Sequence, residues 1–270
     1  MPKTPKTNPL EMAYDAVDRE YSGESAHTRR QLVGAAALGL GGLAAASVPG
    51  AALAAGKRRG SDPNDPQTIL NIAATAEVLA TIVNTVGAEE VKLDRTTRRN
   101  VKAAAYEELI HYNVLEGLGG EPVSKKIWVP NAVFKNATSL LETLEVGDQI
   151  FINAYLIATT VFGDAGDGTT ARYTAEFMGV EAVHRALARQ SLGKLGNDRA
   201  FMKYDDTEQA PGAPNKGTAG FTDVTVAAQQ LQNAGFGFGE KGATPGRFYQ
   251  FDEVKQRTPQ PKGVNQITVD

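Results

Sequence analysis

Cysteine is absent from the 270-residue chain. That excludes a disulfide scaffold, a zinc ribbon, an iron–sulfur site and any thiol nucleophile. An excess of charge of one sign is absent too. With 28 basic and 31 acidic residues, the net charge of −3 offers no field for nucleic acid. Histidine occurs only three times, as His27, His111 and His184. Any metal must therefore be held by oxygen and nitrogen ligands, from a very short list of imidazoles.

Charge is also missing locally. From Gln31 to Gly56 no residue carries any, and the run is mostly Ala and Gly with Pro49 inside it. Arg29 and Arg30 stand just before the run, and Ala52-Leu53-Ala54 supplies a small-x-small exit. A basic pair, a weakly apolar stretch and a small-residue exit predict a signal peptide over residues 1–54, with a polar linker over 55–65. The paired arginines and low hydrophobicity resemble a twin-arginine signal. Arg29 and Arg30 would then engage the twin-arginine export machinery, and the product would be exported to the periplasm or cell envelope. No integral membrane span is expected after cleavage. His27 leaves with the leader, so only His111 and His184 remain.

Apolar spacing of 3 and 4 predicts four long helices. The first covers 66–87, with Asp65 as cap, Pro66 at the first position and Gly87 as terminator. The second starts on Asp94 and ends near Glu116, the third covers 138–162, and the fourth covers 169–192. Asn136 lies in a glycosylation sequon but reads as a helix cap. The connections are short, long and short. One long crossover between helices 2 and 3, over 117–137, gives the ferritin-like variant of the four-helix bundle. The expected fold class is all-α: a bundle over 66–195 and an irregular Gly/Pro-rich C-terminal extension over 196–270. Within that extension a short helix is expected over 223–234, closed by Gly235. The glycine-rich run at 235–239 reads as a tight turn or packing strand, since no strand–loop–helix context supports a phosphate loop.

Both remaining histidines follow a glutamate by three residues: Glu108-Leu-Ile-His111 and Glu181-Ala-Val-His184. On a helix those positions share a face, so each pair can grip one ion, and a pair of such motifs is a di-metal carboxylate pattern. The pattern asks for one carboxylate from each of the other two helices. The first helix offers Glu77, its only charged residue. The third offers Glu142, Glu145 and Asp148, of which Asp148 alone falls on the apolar seam between Leu144 and Phe151. The expected ligand set is Glu77, Glu108, His111, Asp148, Glu181 and His184. These ligands suit two iron or manganese ions per chain. Asp148 is a methylene shorter than Glu and should bridge two ions less easily. Tyr106, Tyr155 and Tyr173 lie on the same helices as core packing or as hydroxyl donors. A Ser-His-Asp triad finds no nucleophile elbow to build on.

Four segments carry a resemblance to a known family: ILNIAATAEVLA, YEELIHYNVLEGLGGEPV, DQIFINAYLIA and GVEAVHRALAR. Over residues 68–204 the chain resembles the exported bacterial ferritin-like domain proteins, desiccation-related ones among them. The run FGFGEKGATPGRFYQFDEV is similar to a recurrent tail of such proteins. The resemblance implies a ferritin-like bundle; in the family the position of Asp148 is usually Glu. Two functions follow as expectations. One is an exported di-iron or di-manganese protein with an oxidative-stress or metal-handling role in the envelope. The other is a metal-free structural or stress-associated (desiccation-related) binding protein without catalysis. Neither enzymatic activity nor oligomeric state, a homo-oligomer included, is decided at this level.

Overall fold

In the computed structural model, residues 62–197, 221–262 and 264 are described. The leader with Arg29 and Arg30, the linker up to residue 61, and residues 198–220 of the extension lie outside them. Four long helices carry the fold: α1 (Pro66–Glu90), α2 (Arg95–Gly117), α3 (Ala137–Asp164) and α4 (Gly168–Ser191). Each starts on an Asp or Asn whose side chain accepts from a backbone N–H in the first turn. Asp65 takes Thr68 N at 3.1 Å, Asp94 takes Thr96 N at 2.8 Å, Asn136 takes Ser139 N at 2.9 Å, and Asp167 takes Thr170 N at 3.0 Å. Each cap satisfies a donor that the helix cannot, worth about 1 kcal/mol.

Short turns make α1–α2 and α3–α4 helical hairpins, and the two pack face to face, α1 on α3 and α2 on α4. Gly87 does not end α1, which runs on to Glu90 with Val91 as its C-terminal cap. It serves a close approach instead: a Cβ there would stand 2.7 Å from Leu140 Cδ2 at the start of α3. At the opposite end of α1, Gln67 donates to the carbonyl of Gly119, just past α2. The 118–136 connection therefore travels the length of the bundle, as a ferritin-like crossover requires. Its first half is stitched to one edge of α1. Glu121 N donates to Asn71 Oδ1 and Val123 N to Thr75 Oγ1, a helical turn further along.

The rest of the crossover is a strand, β1 (Lys126–Pro130), followed by a 3-10 turn (Asn131–Phe134). It is the centre of a three-stranded antiparallel sheet completed by the extension: β2 (Gly237–Phe238) on one side and β3 (Gly246–Gln250) on the other. Ile127 faces Phe238 and Tyr249, and Trp128 faces Gly237 and Phe248. The extension is thus more regular than its composition suggests. A Cβ on Gly246 would meet Val129 O at 2.3 Å, so this glycine permits backbone contact inside the sheet. The expected short helix is α5 (Thr225–Asn233), and Gly235 follows it in the left-handed region at φ 97°. A last short helix, α6 (Phe251–Lys255), buries Phe251 and Val254.

The extension explains the composition of α1. Helices α2, α3, α5 and α6 and strand β1 all pack on α1, and from Ile69 to Ala88 only Asn71 and Ala76 are less than fully buried. A helix covered on every side has no reason to be amphipathic. By length and hydropathy α1 would pass for a membrane span, yet 89% of that stretch is buried inside the protein. It is the core helix, which makes its one internal charge, Glu77, conspicuous.

Candidate metal centre

All six expected side chains meet in the middle of the bundle. Glu77 comes from α1, Glu108 and His111 from α2, Asp148 from α3, and Glu181 and His184 from α4; each is buried. They form two overlapping groups: Glu77, Glu108, His111 and Glu181, and Glu108, Asp148, Glu181 and His184. Within each group the ligand atoms lie within 4.8 Å of one another.

The arrangement at the shared residues is specific. Glu108 turns Oε2 to His111 Nδ1 at 3.5 Å and Oε1 to His184 Nδ1 at 3.2 Å. Glu181 turns Oε1 to His111 Nδ1 at 3.6 Å and Oε2 to His184 Nδ1 at 3.6 Å. Each of the two carboxylates thus divides its oxygens between two subsites. Glu77 serves only the first subsite, with Oε1 3.6 Å from His111 Nδ1. Asp148 serves only the second. The shorter side chain of Asp148 therefore stands where no bridging reach is required. Glu145 is not part of the centre. Its carboxylate accepts from Arg189 Nη1 at 2.5 Å and Lys194 Nζ at 2.6 Å. Glu142 is exposed.

Beyond the imidazole–carboxylate contacts just described, few of these polar atoms have a protein partner. Both oxygens of Glu108, both of Glu181, one each of Glu77 and Asp148, and Nδ1 of both histidines are buried with no hydrogen bond. Buried polar atoms are nearly always satisfied, and an unpartnered carboxylate is among the costliest exceptions. Eight such atoms converging on one spot fit a cationic ligand.

The electrostatics point the same way. Burial, reinforced by Glu108, raises the Glu77 carboxyl from 4.5 to about 8. Burial and the nearby Glu181 raise Asp148 well above its ordinary 3.8. For the histidines burial acts downward, but facing carboxylates outweigh it: Glu77, Glu108 and Glu181 at His111, and Glu108, Glu107 and Glu181 at His184. Both end well above 6.5. Without a cation the cluster retains protons, the usual response of crowded buried carboxylates.

Neighbouring side chains hold the ligands in place. The Tyr155 hydroxyl donates to Glu77 Oε1, so of the three tyrosines it is the one acting on the centre. Tyr173 is buried with its hydroxyl unpartnered, and Tyr106 is half-buried against the core. The ring of Phe177 lies 4.2 Å from that of His111 and also packs on Tyr155. Glu107, which the sequence pattern does not single out, lies 2.7 Å from His184 Nε2. That hydrogen bond, the leading cause, holds the Glu107 carboxyl below its usual range. With Nε2–H directed at Glu107, the neutral form of His184 keeps its lone pair on Nδ1, toward the centre. The signal available was the doubled acid Glu107-Glu108, whose first member lies on the next helical position and reaches the opposite helix.

Residues 65–194 match the sequence model of the family described as the ferritin-like domain. The bundle is similar to the ferritin-like domain. The match begins at the cap of α1 and ends just past α4, so it covers the four-helix bundle and its crossover. No curated protein and no solved structure gives a match. In this bundle the buried carboxylate–histidine cluster permits a metal site.

Proposed function

We propose that the ferritin-like domain holds two ions of iron or manganese and serves an oxidative-stress or metal-handling role in the cell envelope. The division of Glu108 and Glu181 between two imidazoles carries this reading. One group would be held by Glu77 and His111, the other by Asp148 and His184, with Glu108 and Glu181 spanning both. Oxygen and neutral imidazole ligands with no sulfur suit these two metals. Such a pair, when bound, supplies electron exchange with oxygen or peroxide. The chain's own part is to present carboxylate oxygens and imidazole Nδ1 atoms toward the ions, as groups that give up their protons when a cation binds. Tyr155 fixes Glu77, Glu107 fixes the His184 tautomer, and the apolar core around Phe177 excludes bulk water.

The location rests on sequence: Arg29-Arg30, the uncharged run and the Ala52-Leu53-Ala54 exit support export by the twin-arginine route. One experiment tests both halves. Protein is recovered from the envelope fraction after export through its own leader, and its N-terminus and metal content are determined. The expected result is a chain beginning after Ala54 with about two Fe or Mn. A folded chain that binds neither metal after reconstitution overturns the metal reading, and an intact leader in the cytosolic fraction overturns the export reading.

A further inference from the structure

Two cavities reach residues of the centre, and they differ in chemistry. One, between α1, α3 and α5, touches Tyr155 but is otherwise apolar apart from Thr75. Both of those hydroxyls are already engaged, Tyr155 on Glu77 and Thr75 on the Asn71 carbonyl. It offers a hydrated cation nothing. The other is a cleft at the end of the bundle where α1 and α4 finish and α2 and α3 begin, with walls from all four helices. Its floor is Asp148 and His184, and its rim includes half-buried Asn100 and exposed Ser191. Thr97 joins Ser191 at 3.0 Å and the exposed Asp94 at 2.5 Å.

Asn84 lies in this cleft and is 2% exposed. Its Nδ2 donates to the Ala80 carbonyl at 3.2 Å, and a carbonyl can only accept, so the amide orientation is settled. Oδ1 is left buried with no hydrogen-bond partner. One turn back toward the centre, Thr81 Oγ1 is also buried and unpartnered. Glu77, Thr81 and Asn84 are spaced i, i+4 and i+7, along one face of α1. Asp148 Oδ2, on the cleft floor, has no partner either. The unsatisfied oxygens of Asn84 and Asp148 thus line the cleft among Val101, Ala104, Leu141 and Leu187, and Thr81 continues the α1 face from Asn84 toward Glu77.

We propose that this cleft is the entry path for the divalent cations, and that Asn84 Oδ1 is a transit ligand on it. The inference deepens the two-ion reading of the centre and depends on it. Hard divalent cations shed water reluctantly, and oxygens that replace that water step by step lower the barrier to entry. Packing alone gives no reason for an amide oxygen in this position, since an unpartnered buried acceptor is unfavourable. The subsite of Asp148 and His184 is the first that an entering ion reaches.

The test is Co²⁺ loading of the full chain, followed by stopped-flow absorbance, with stoichiometry measured separately at equilibrium. Asn84→Leu removes the oxygen at similar volume. Ala104→Phe narrows the cleft without touching any oxygen. Both should still take up two ions per chain at equilibrium, but load about tenfold more slowly. Asn84→Asp keeps an oxygen in place and should load at least as fast as the unmodified chain. Unchanged loading in both Asn84→Leu and Ala104→Phe overturns the entry path. Equal slowing in Asn84→Leu and Asn84→Asp overturns the transit ligand. If Asn84→Leu does not fold, Ala104→Phe and Asn84→Asp still decide the matter. Failure of the unmodified chain to bind Co²⁺ at equilibrium overturns the two-ion reading itself, an outcome distinct from fast loading in a blocked cleft.

Discussion

Metal-free protein should lose stability as pH rises from about 5.5 to 8.5, the reverse of what surface carboxylates produce. In the unfolded chain Glu77 releases its proton near 4.5, whereas in the fold it keeps it up to about 8. Between those values the folded state holds a proton that the unfolded state has lost, so each unit of pH removes about 1.4 kcal/mol. From pH 5.5 to 8 the loss is about 3 kcal/mol. His111 and His184, raised above 6.5, act in the same direction: their contribution is complete below 6.5 and disappears as pH climbs through the folded-state values. Because these groups face one another, their interaction is counted once, and 3 kcal/mol is taken for the set. At 2–4 °C per kcal/mol for a domain of this size, the melting temperature should fall by about 6–12 °C. Asp94 and Asp167, held low by Thr97 and Thr170, matter only below about pH 4 and do not interfere. Ion binding requires ionised carboxylates and neutral imidazoles, so Mn²⁺-saturated protein should not show the fall. Calorimetric melts of chelator-treated and Mn²⁺-saturated protein at three pH values measure both. A metal-free melting temperature that is flat or rising over this window refutes the electrostatic account of the cluster.

Two substitutions separate the centre from its surroundings. Glu145→Ala removes the carboxylate partner of the buried Arg189 guanidinium, whose Nε still donates to the Leu195 carbonyl, and should cost about 3 kcal/mol in denaturant unfolding. It should leave the metal stoichiometry unchanged; a lost ion would place Glu145 in the centre. Glu107→Gln should preserve two ions per chain but weaken their affinity by about tenfold or more in chelator competition, because His184 loses its charged partner. Unchanged affinity would mean that Glu107 merely caps a surface contact.

The centre was legible because its grammar is local. Glu108/His111 and Glu181/His184 are pairs three apart on single helices, and helical geometry alone puts each pair on one face. Asp148 was separable from Glu145 by the seam itself: Leu144, Asp148 and Phe151 follow at 4 and 3, whereas Glu145 stands one residue past Leu144, a 100° turn away. The division of labour among the carboxylates was not legible. Whether a residue spans two subsites or serves one depends on how the hairpins face each other, and that showed Asp148 as a one-sided neighbour of His184. Glu107 was missed because its partner lies 77 positions away on another helix. Gly87 was misread as a stop because a glycine that ends a helix and one that admits Leu140 look alike in sequence. Strands β1 and β3 were hidden likewise, while β2 falls in the 235–239 run read as a tight turn or packing strand: each is short, and their pairing spans more than a hundred residues of chain.

The central claim is that Glu108 and Glu181 each connect two ions, and electron paramagnetic resonance of Mn²⁺-saturated protein tests it most directly. Two Mn²⁺ ions joined by shared carboxylates should give an exchange-coupled signal at full loading, which Glu181→Ala reduces to that of isolated ions. A fully loaded protein showing only the six-line pattern of isolated Mn²⁺, or saturating at one ion per chain, would contradict the account.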